Sequence, residues 1–474
     1  MKRSWIFLSS TVLLMASCKM GKNYKGTDVV VPNSFGEPGQ PYTGITDTVN
    51  TDSLSYLTSE ALQWWGMFND PVLDSLVRVA ERNNKNLLVT AENILQARYQ
   101  LNIQNAEFLP KFNLQGSAQR GNFIFNQVRT ETDFINIGAG LNWELDFWGK
   151  YRRLSEAARN ELLGSEFGYR NLRISLYSQV AETYFSLLEA KALLEIGEKN
   201  KALRDSMLGI IKERYDKGII PMIDVNQAEI QYAIAASSVP FYKRRLVQIQ
   251  NTLNVLCGRL PQPIETTSEL KGMNYEIDLP VGEPYRLLAR RPDLLELEAR
   301  LIAQNARIGA AQANRLPAIS VSGLLGVGAQ NVNQLSFADP LWSIAGSISG
   351  PIFYWGQLKR QVDIERSRSY QRLFQYEQGV LIAFQEIENL RIQVVTLKEQ
   401  IEIGENRVRS ALNAQMLSRE RYAKGVTSYL EFLESQRQAF DAEIELAGYR
   451  RELLATYAQL YRALGGGWQN DQQP

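Results

Sequence analysis

The chain has no histidine among its 474 residues. That excludes imidazole acid–base chemistry, Ser-His-Asp triads and histidine-ligated zinc. Cysteine is nearly as scarce, with only Cys18 and Cys257, so no disulfide framework holds the fold. There is no Gly-x-x-x-x-Gly-Lys-Ser/Thr loop to cradle phosphates. An excess of either charge is also missing: 52 Lys and Arg stand against 51 Asp and Glu, without the basic field that nucleic-acid binding uses. Two carboxylates could in principle hydrolyse a glycoside, but the acids of this chain offer no preferred pair. The expectation is a protein that is not an enzyme, with no cofactor, no metal and no nucleic-acid partner.

A hydrophobic content of 45% and a charged content of 22% describe an ordered chain. At its start, MKRSWIFLSSTVLLMASC sets Lys2 and Arg3 before an apolar run from Trp5 to Leu14. Small residues Ala16 and Ser17 follow, the layout of a secretory signal over residues 1–17. The run is too short to span a bilayer. Leu-Met-Ala-Ser-Cys is similar to a bacterial lipobox, with Met15 and Ser17 departing from its commonest residues. The resemblance implies acylation of Cys18, followed by an anchored, extended segment over 18–59. Each buried methylene of such an anchor contributes ~0.8 kcal/mol, and more than one acyl chain is needed for a stable hold.

Two later stretches repeat one another: RYDKGIIPMID begins at Arg214 and RYAKGVTSYLE at Arg421. Their glycines, Gly218 and Gly425, are separated by 425 − 218 = 207 residues. The same shift superposes Leu109-Pro110 on Leu316-Pro317, Trp148-Gly149 on Trp355-Gly356, and Glu195-Ile196-Gly197-Glu198 on Glu402-Ile403-Gly404-Glu405. Four matches at one offset, without a gap, indicate an internal duplication. The first repeat is placed at 60–270, the second at 271–465, and a tail at 466–474.

Each repeat changes periodicity at the same point. Helix formers run from Asn86 to Glu107 and from Asp293 to Asn314, and each run stops at Leu-Pro. Alternation of period two follows, predicting strands at about 112–126 and 134–147, then 318–330 and 341–354. Ile135, Ile137, Ala139, Leu141, Trp143 and Leu145, for example, alternate with Asn136, Gly138, Gly140, Asn142 and Glu144. Such strands suit a soluble sheet packed on helices, or a bilayer-crossing barrel of tilted strands of about ten residues. The signal, the anchor and the polar inner faces favour the barrel. Four strands cannot close one, so several chains must share it.

From Lys150 to Lys217, and from Gln357 to Lys424, 68 residues run without proline. At ~1.5 Å per residue each stretch could form a helix of ~100 Å. Val380, Phe384, Ile387, Val394, Leu397 and Ile401 recur near the 3.5-residue spacing of a coiled coil. Gly197 and Gly404 are expected to mark joins or kinks. Return helices are expected from about Met222 to Leu256 and from Tyr429 to Leu464.

The duplicated order of helix, Leu-Pro, two strands, Trp-Gly, long helix, Lys-Gly and return helix resembles the TolC-like outer-membrane efflux ducts over roughly Glu60 to Gly465. WWGMFNDPVLDSLVRVAERNNKNL, Trp64 to Leu87, is similar to the lipoprotein branch that serves resistance-nodulation-division pumps. The resemblance implies a mixed α and β membrane protein. Its homotrimer forms a twelve-stranded β-barrel, four strands per chain, in outer-membrane lipid, continued by a long α-helical barrel through the periplasm of a Gram-negative bacterium. It implies a passive channel for drugs or other small toxic solutes, working with a periplasmic adaptor (membrane fusion) protein and an inner-membrane pump. A type I secretion-type export duct and a lipid-anchored periplasmic-side solute-binding protein are the alternative functions.

Carried over residue by residue, the family's periplasmic gate falls on Asp224, Tyr422, Glu431 and Glu434. Thr427 stands where a family member has an arginine, so that salt bridge is not carried over. Lys217, Gly218, Lys424 and Gly425 would form the helical tips that contact the adaptor. Each has a plainer reading as well. Lys-Gly is a common helix end, Ser428-x-x-Glu431 a capping box, and Pro221 a helix starter. Tyr422 could simply pack between helices. Trp143, Trp148, Trp342 and Trp355 are expected as membrane-interface aromatics, and Trp64 and Trp65 as packing in a belt around the helices.

Overall fold

The computed structural model describes residues 19–32, 35, 38, 46–50, 64–125, 128–277, 284–330 and 332–466. Cys18, the signal over 1–17, half of the 18–59 segment and nearly all of the 466–474 tail lie outside them. In chain order the elements are strands β1 (Asp28–Pro32) and β2 (Thr46–Asn50), helices α1 (Pro71–Asn83) and α2 (Lys85–Ala106), and strands β3 (Lys111–Phe125) and β4 (Val128–Leu145). Then come α3 (Lys150–Asp216), α4 (Met222–Leu256), α5 (Pro284–Arg290), α6 (Pro292–Ala313), β5 (Ala318–Ala329), β6 (Leu341–Ser349), α7 (Gln357–Ala423) and α8 (Tyr429–Ala463). They form two compact units.

The first unit takes the described parts of Met1–Gly26, Glu92–Phe167 and Glu296–Gln378. Its sheet is antiparallel in the order β3-β4-β5-β6, so the duplicated hairpins join through the β4–β5 pair. The register carries the alternation across the repeat boundary. Leu114 lies opposite Ala139, Ala139 opposite Leu325, and Leu325 opposite Trp342; Phe112, Leu141, Gly323 and Ile344 form the next row. The polar face runs through Lys111, Asn142 and Ser322. Ser117 Oγ donates to Asn136 Oδ1 at 2.9 Å on that face. The apolar face is open within one chain, with Leu114 82% and Trp342 75% exposed.

Three strand limits differ from expectation by two residues or more. β4 begins at Val128 rather than 134, because the polar stretch Val128–Asp133 extends the ladder from Phe125 to Arg120 without any apolar alternation. It ends at Leu145 because the Asp146 carboxylate turns to cap α3, accepting from the Tyr151 and Arg152 amides at 2.9 Å each. β6 stops at Ser349 rather than 354, since Pro351 has no N–H for a ladder.

The second unit takes the described parts of Thr27–Ala91, Gly168–Leu295 and Gly379–Pro474. Trp64, Trp65 and Phe68 open a 3-10 turn and sink into its core with Tyr177, Tyr184, Phe185 and Tyr461. Trp64 stacks on Tyr461 at 4.7 Å between ring centroids. Asp70 caps α1 through the Val72 and Leu73 amides, at 2.8 and 3.0 Å, and accepts the Tyr184 hydroxyl at 2.5 Å. A carboxylate holding three donors stabilises both the cap and the core. On α7 the predicted seam is buried at Val380, Phe384, Ile387, Leu397 and Ile401.

Gly197 and Gly404 interrupt nothing: α3 and α7 are each one helix of 67 residues. These glycines admit the return helices instead. A Cβ on Gly197 would stand 2.9 Å from the Tyr242 ring, and one on Gly404 3.2 Å from Leu446 Cδ1.

Candidate functional site

The two Lys-Gly stretches close their helices in the same way. Gly218 and Gly425 have φ of +69° and +74°. The Ile219 amide reaches back to the Arg214 carbonyl at 2.9 Å and the Gly218 amide to Tyr215 at 2.7 Å. In the second repeat Val426 reaches Arg421 at 2.9 Å and Gly425 reaches Tyr422 at 3.0 Å. Both are Schellman ends, which a left-handed residue makes available and glycine enters without a Cβ penalty. Nothing lies within 4 Å of a Cβ built on either glycine. Lys217 and Lys424 are exposed beside them.

Four helix ends then meet in one apolar cluster. Met207, Leu208 and Ile211 come from α3, Val225 and Ala228 from α4, Tyr422 from α7, and Tyr429 and Phe432 from α8. Tyr422 lies parallel to Phe432 at 6.1 Å and tilted against Tyr429 at 5.7 Å. Its hydroxyl is buried without a hydrogen-bond partner. Burial pushes the Tyr422 phenol above its ordinary range, while the Arg214 charge works in the opposite direction. Burial likewise pushes Tyr429 up to about 12.

The acids divide. Asp224 sits half-buried in the first turn of α4, its amide bonded to the Pro221 carbonyl at 3.1 Å. Its negative charge works to raise both Tyr422 and Tyr429. Glu431 is exposed in the first turn of α8, where its amide donates to Ser428 Oγ at 3.3 Å. Its carboxylate takes the Thr427 hydroxyl and the Arg421 guanidinium, the latter at 3.2 Å. Glu434, also exposed, is held by Arg437 at 2.7 Å and Gln438 at 2.9 Å, and Arg437 keeps it below the usual carboxylate range. Thus Asp224 adds negative charge near the Tyr422 cluster, while Glu431 and Glu434 are each paired with an arginine of their own repeat.

Arg214 is the member of this site that its sequence did not single out. It leaves its own repeat, donating to the last carbonyls of α7, Ala423 at 3.1 Å and Tyr422 at 3.5 Å. Its guanidinium also lies 4.9 Å from the centre of the Tyr422 ring. A cation at a helix C-terminus and over an aromatic face is stabilising on both counts. Arg421, its counterpart 207 residues on, stays with Glu431 in its own turn. The available signal was the repeated arginine, but the repeat does not say which copy crosses.

The tryptophans of the first unit also separate. Trp143 donates to the Phe108 carbonyl at 2.8 Å and Trp148 to the Pro317 carbonyl at 2.7 Å, tying strand ends to the Leu-Pro corners. Trp342 and Trp355 are exposed, Trp355 at 87% with its ring edge-on to Phe353 at 4.5 Å and a φ of +51°. An amphipathic ring with a bonded N–H suits an interfacial position, and an exposed one needs apolar surroundings elsewhere.

Comparison with known proteins bears on all of these elements. The model of the outer membrane efflux protein family matches twice, at residues 76–259 and 284–466. The antibiotic efflux pump outer membrane protein ArpC of Pseudomonas putida is 30% identical over 475 residues, 99% of this chain and 96% of that protein. The cation efflux system protein CusC of Escherichia coli is 28% identical over 461 residues, 96% of this chain and 97% of that one. Among solved structures the outer-membrane channel OprN superposes with a TM-score of 0.84 at 26% identity, over 95% of this chain and 100% of OprN.

Proposed function

The chain belongs to the outer membrane efflux protein family, and on that premise we propose that it is the outer-membrane duct of a tripartite efflux system. The observation that carries the reading is the sheet. Its register gives one continuous apolar face and one polar face across both repeats, and among the described residues β3 and β6 each pair on one side only. In lipid such edges must be paired, which three chains of four strands achieve as a twelve-stranded barrel. The polar face then lines water. Solute passes by diffusion, and the energy comes from a pump in the inner membrane through a periplasmic adaptor that meets the tips at Lys217-Gly218 and Lys424-Gly425. An acylated Cys18 adds an anchor in the outer membrane. Drugs and other small toxic solutes are the cargo that such a duct carries.

At the tips the same proposal makes the Arg214–Tyr422 contact a closure between the two hairpins of one chain. Asp224 holds negative charge beside it, and Glu431 and Glu434 are acids whose field is offset by Arg421 and Arg437. The test is reconstitution. Outer membranes should yield a heat-resistant trimer that gives discrete conductance steps in planar bilayers. A monomer released intact by a salt wash, with no conductance, would overturn the reading.

A further inference from the structure

Away from the tips, the first unit contains a buried site occupied by the residues that directly follow Cys18. The Met20 amide donates to the Trp148 carbonyl at 3.1 Å. Arg153, only 1% exposed, donates from Nε to the Met20 carbonyl at 2.8 Å and from Nη2 to the Gly21 carbonyl at 2.6 Å. Its Nη1 meets Glu156 at 2.9 Å, and the same carboxylate holds Lys19 Nζ at 2.5 Å. On the other side Asn305 donates to the Lys22 carbonyl at 3.1 Å, and the Tyr24 hydroxyl reaches Glu298 at 3.3 Å. Gly309 keeps the notch open: a Cβ there would stand 2.6 Å from the Met20 oxygen and 2.7 Å from Arg153 Nε.

A guanidinium this buried is costly unless its donors are used. Here two of its three nitrogens serve main-chain carbonyls of another segment, so its position makes sense only with that segment in place. The notch residues also come from both copies of the duplication. Arg153 and Glu156 lie on α3 of the first, and Glu298, Asn305 and Gly309 on α6 of the second.

We infer that this notch is an acceptor for the chain immediately after Cys18, completed only when α3 and α6 have packed, and that it fixes the modified end of the chain beside Trp148. The acceptor itself is independent of acylation. Its consequence for the anchor rests on the proposed lipid at Cys18. Consecutive Cα atoms are about 3.8 Å apart, and the Lys19 Cα lies 3.0 Å from the Cβ position of Gly149. The acyl chains are therefore tethered at the strand-to-helix junction rather than on a free leash.

Trypsin, added to outer-membrane fragments carrying the full chain, tests this, with cleavage after Lys19 and Lys22 followed by mass spectrometry. Cleavage of a segment that must open first tracks the open population. Both bonds should resist in the parent. Arg153→Met and Gly309→Leu should be cut about tenfold faster or more, and Asn305→Ala, which alters a surface contact, about two- to fivefold faster at Lys22. Circular dichroism and the heat-resistant assembly identify the variants that fold. Equal cleavage of the parent and every folded variant, whether fast or slow, overturns the acceptor. Cys18→Ser separates the two readings: it should keep the protection while losing the acyl mass. A parent without that mass refutes the anchor and leaves the protection pattern to decide the notch.

Discussion

Replacing Arg214 by alanine should loosen the proposed closure at the tip, and the size of the effect follows from its contacts. The side chain supplies one good hydrogen bond to the Ala423 carbonyl at 3.1 Å, a long one to Tyr422 at 3.5 Å, and a ring contact at 4.9 Å. A sheltered hydrogen bond from a charged group is worth about 1.5–3 kcal/mol, and water reaching this half-exposed residue reduces that to about 1. The ring contact adds about 0.5–1 kcal/mol. A total of about 1.5–2 kcal/mol shifts a closed-to-open equilibrium about ten- to thirtyfold. Arg421→Ala is the internal control, because it removes only an exposed pair with Glu431, at 55% and 50% side-chain exposure. Such pairs contribute about 0–1 kcal/mol. Single-channel recording in planar bilayers should show open probability at zero voltage rising an order of magnitude for Arg214→Ala and little for Arg421→Ala. Equal increases in the two variants, or none in either, would refute the assignment of the crossing contact to Arg214.

Other outcomes are expected elsewhere. Leu141→Arg places a charge in the apolar row of the sheet and should cost about 2–4 kcal/mol near the bilayer midplane, seen as loss of the heat-resistant assembly on gels. Asn142→Arg, one residue on and facing the polar side, should assemble normally. Ser428→Ala removes the side-chain cap of α8 and should cost about 1 kcal/mol, speeding amide exchange at Glu431 while leaving α4 unchanged. Burial opposes the charge of Glu156, but Lys19 and Arg153 outweigh it and hold the carboxyl below its ordinary range. A depressed carboxylate contributes stability above its unfolded pKa, and that contribution fades as pH falls through the lower folded value. Protection of the Met20 and Gly21 amides, corrected for intrinsic exchange, should therefore be flat above about pH 5 and weaken below about pH 4. Glu156→Gln should remove this slope.

Much of the architecture was written locally. Trp148-Gly149 and Trp355-Gly356 end one pattern, and Lys217-Gly218 and Lys424-Gly425 the next, so helices of 67 residues could be bounded to within a residue. Proline, glycine and period act through neighbouring residues, which a sequence displays. Val128–Asp133 did not read as strand because no apolar alternation runs through VRTETD, and pairing with β3 decides its conformation. Gly197 and Gly404 read as joins or kinks because the partner that needs their small size is a helix tens of residues away. At the tips the limit was sharper. Arg214 and Arg421 occupy equivalent positions in near-identical strings, yet one crosses to the neighbouring hairpin and the other does not. Only the packing of four helix ends distinguishes them.

Gly218 and Gly425 separate two reasons for glycine that are usually entangled. Their positive φ disfavours L-residues by handedness, yet open space surrounds the missing Cβ, so crowding has no part in the choice. Chirality is therefore the whole constraint. L-alanine at either position should cost about 1 kcal/mol, whereas D-alanine, whose preferred torsions are the mirror image, should stiffen the turn by restricting the unfolded chain. At these two helix ends a protein built from one hand of amino acid borrows the geometry of the other.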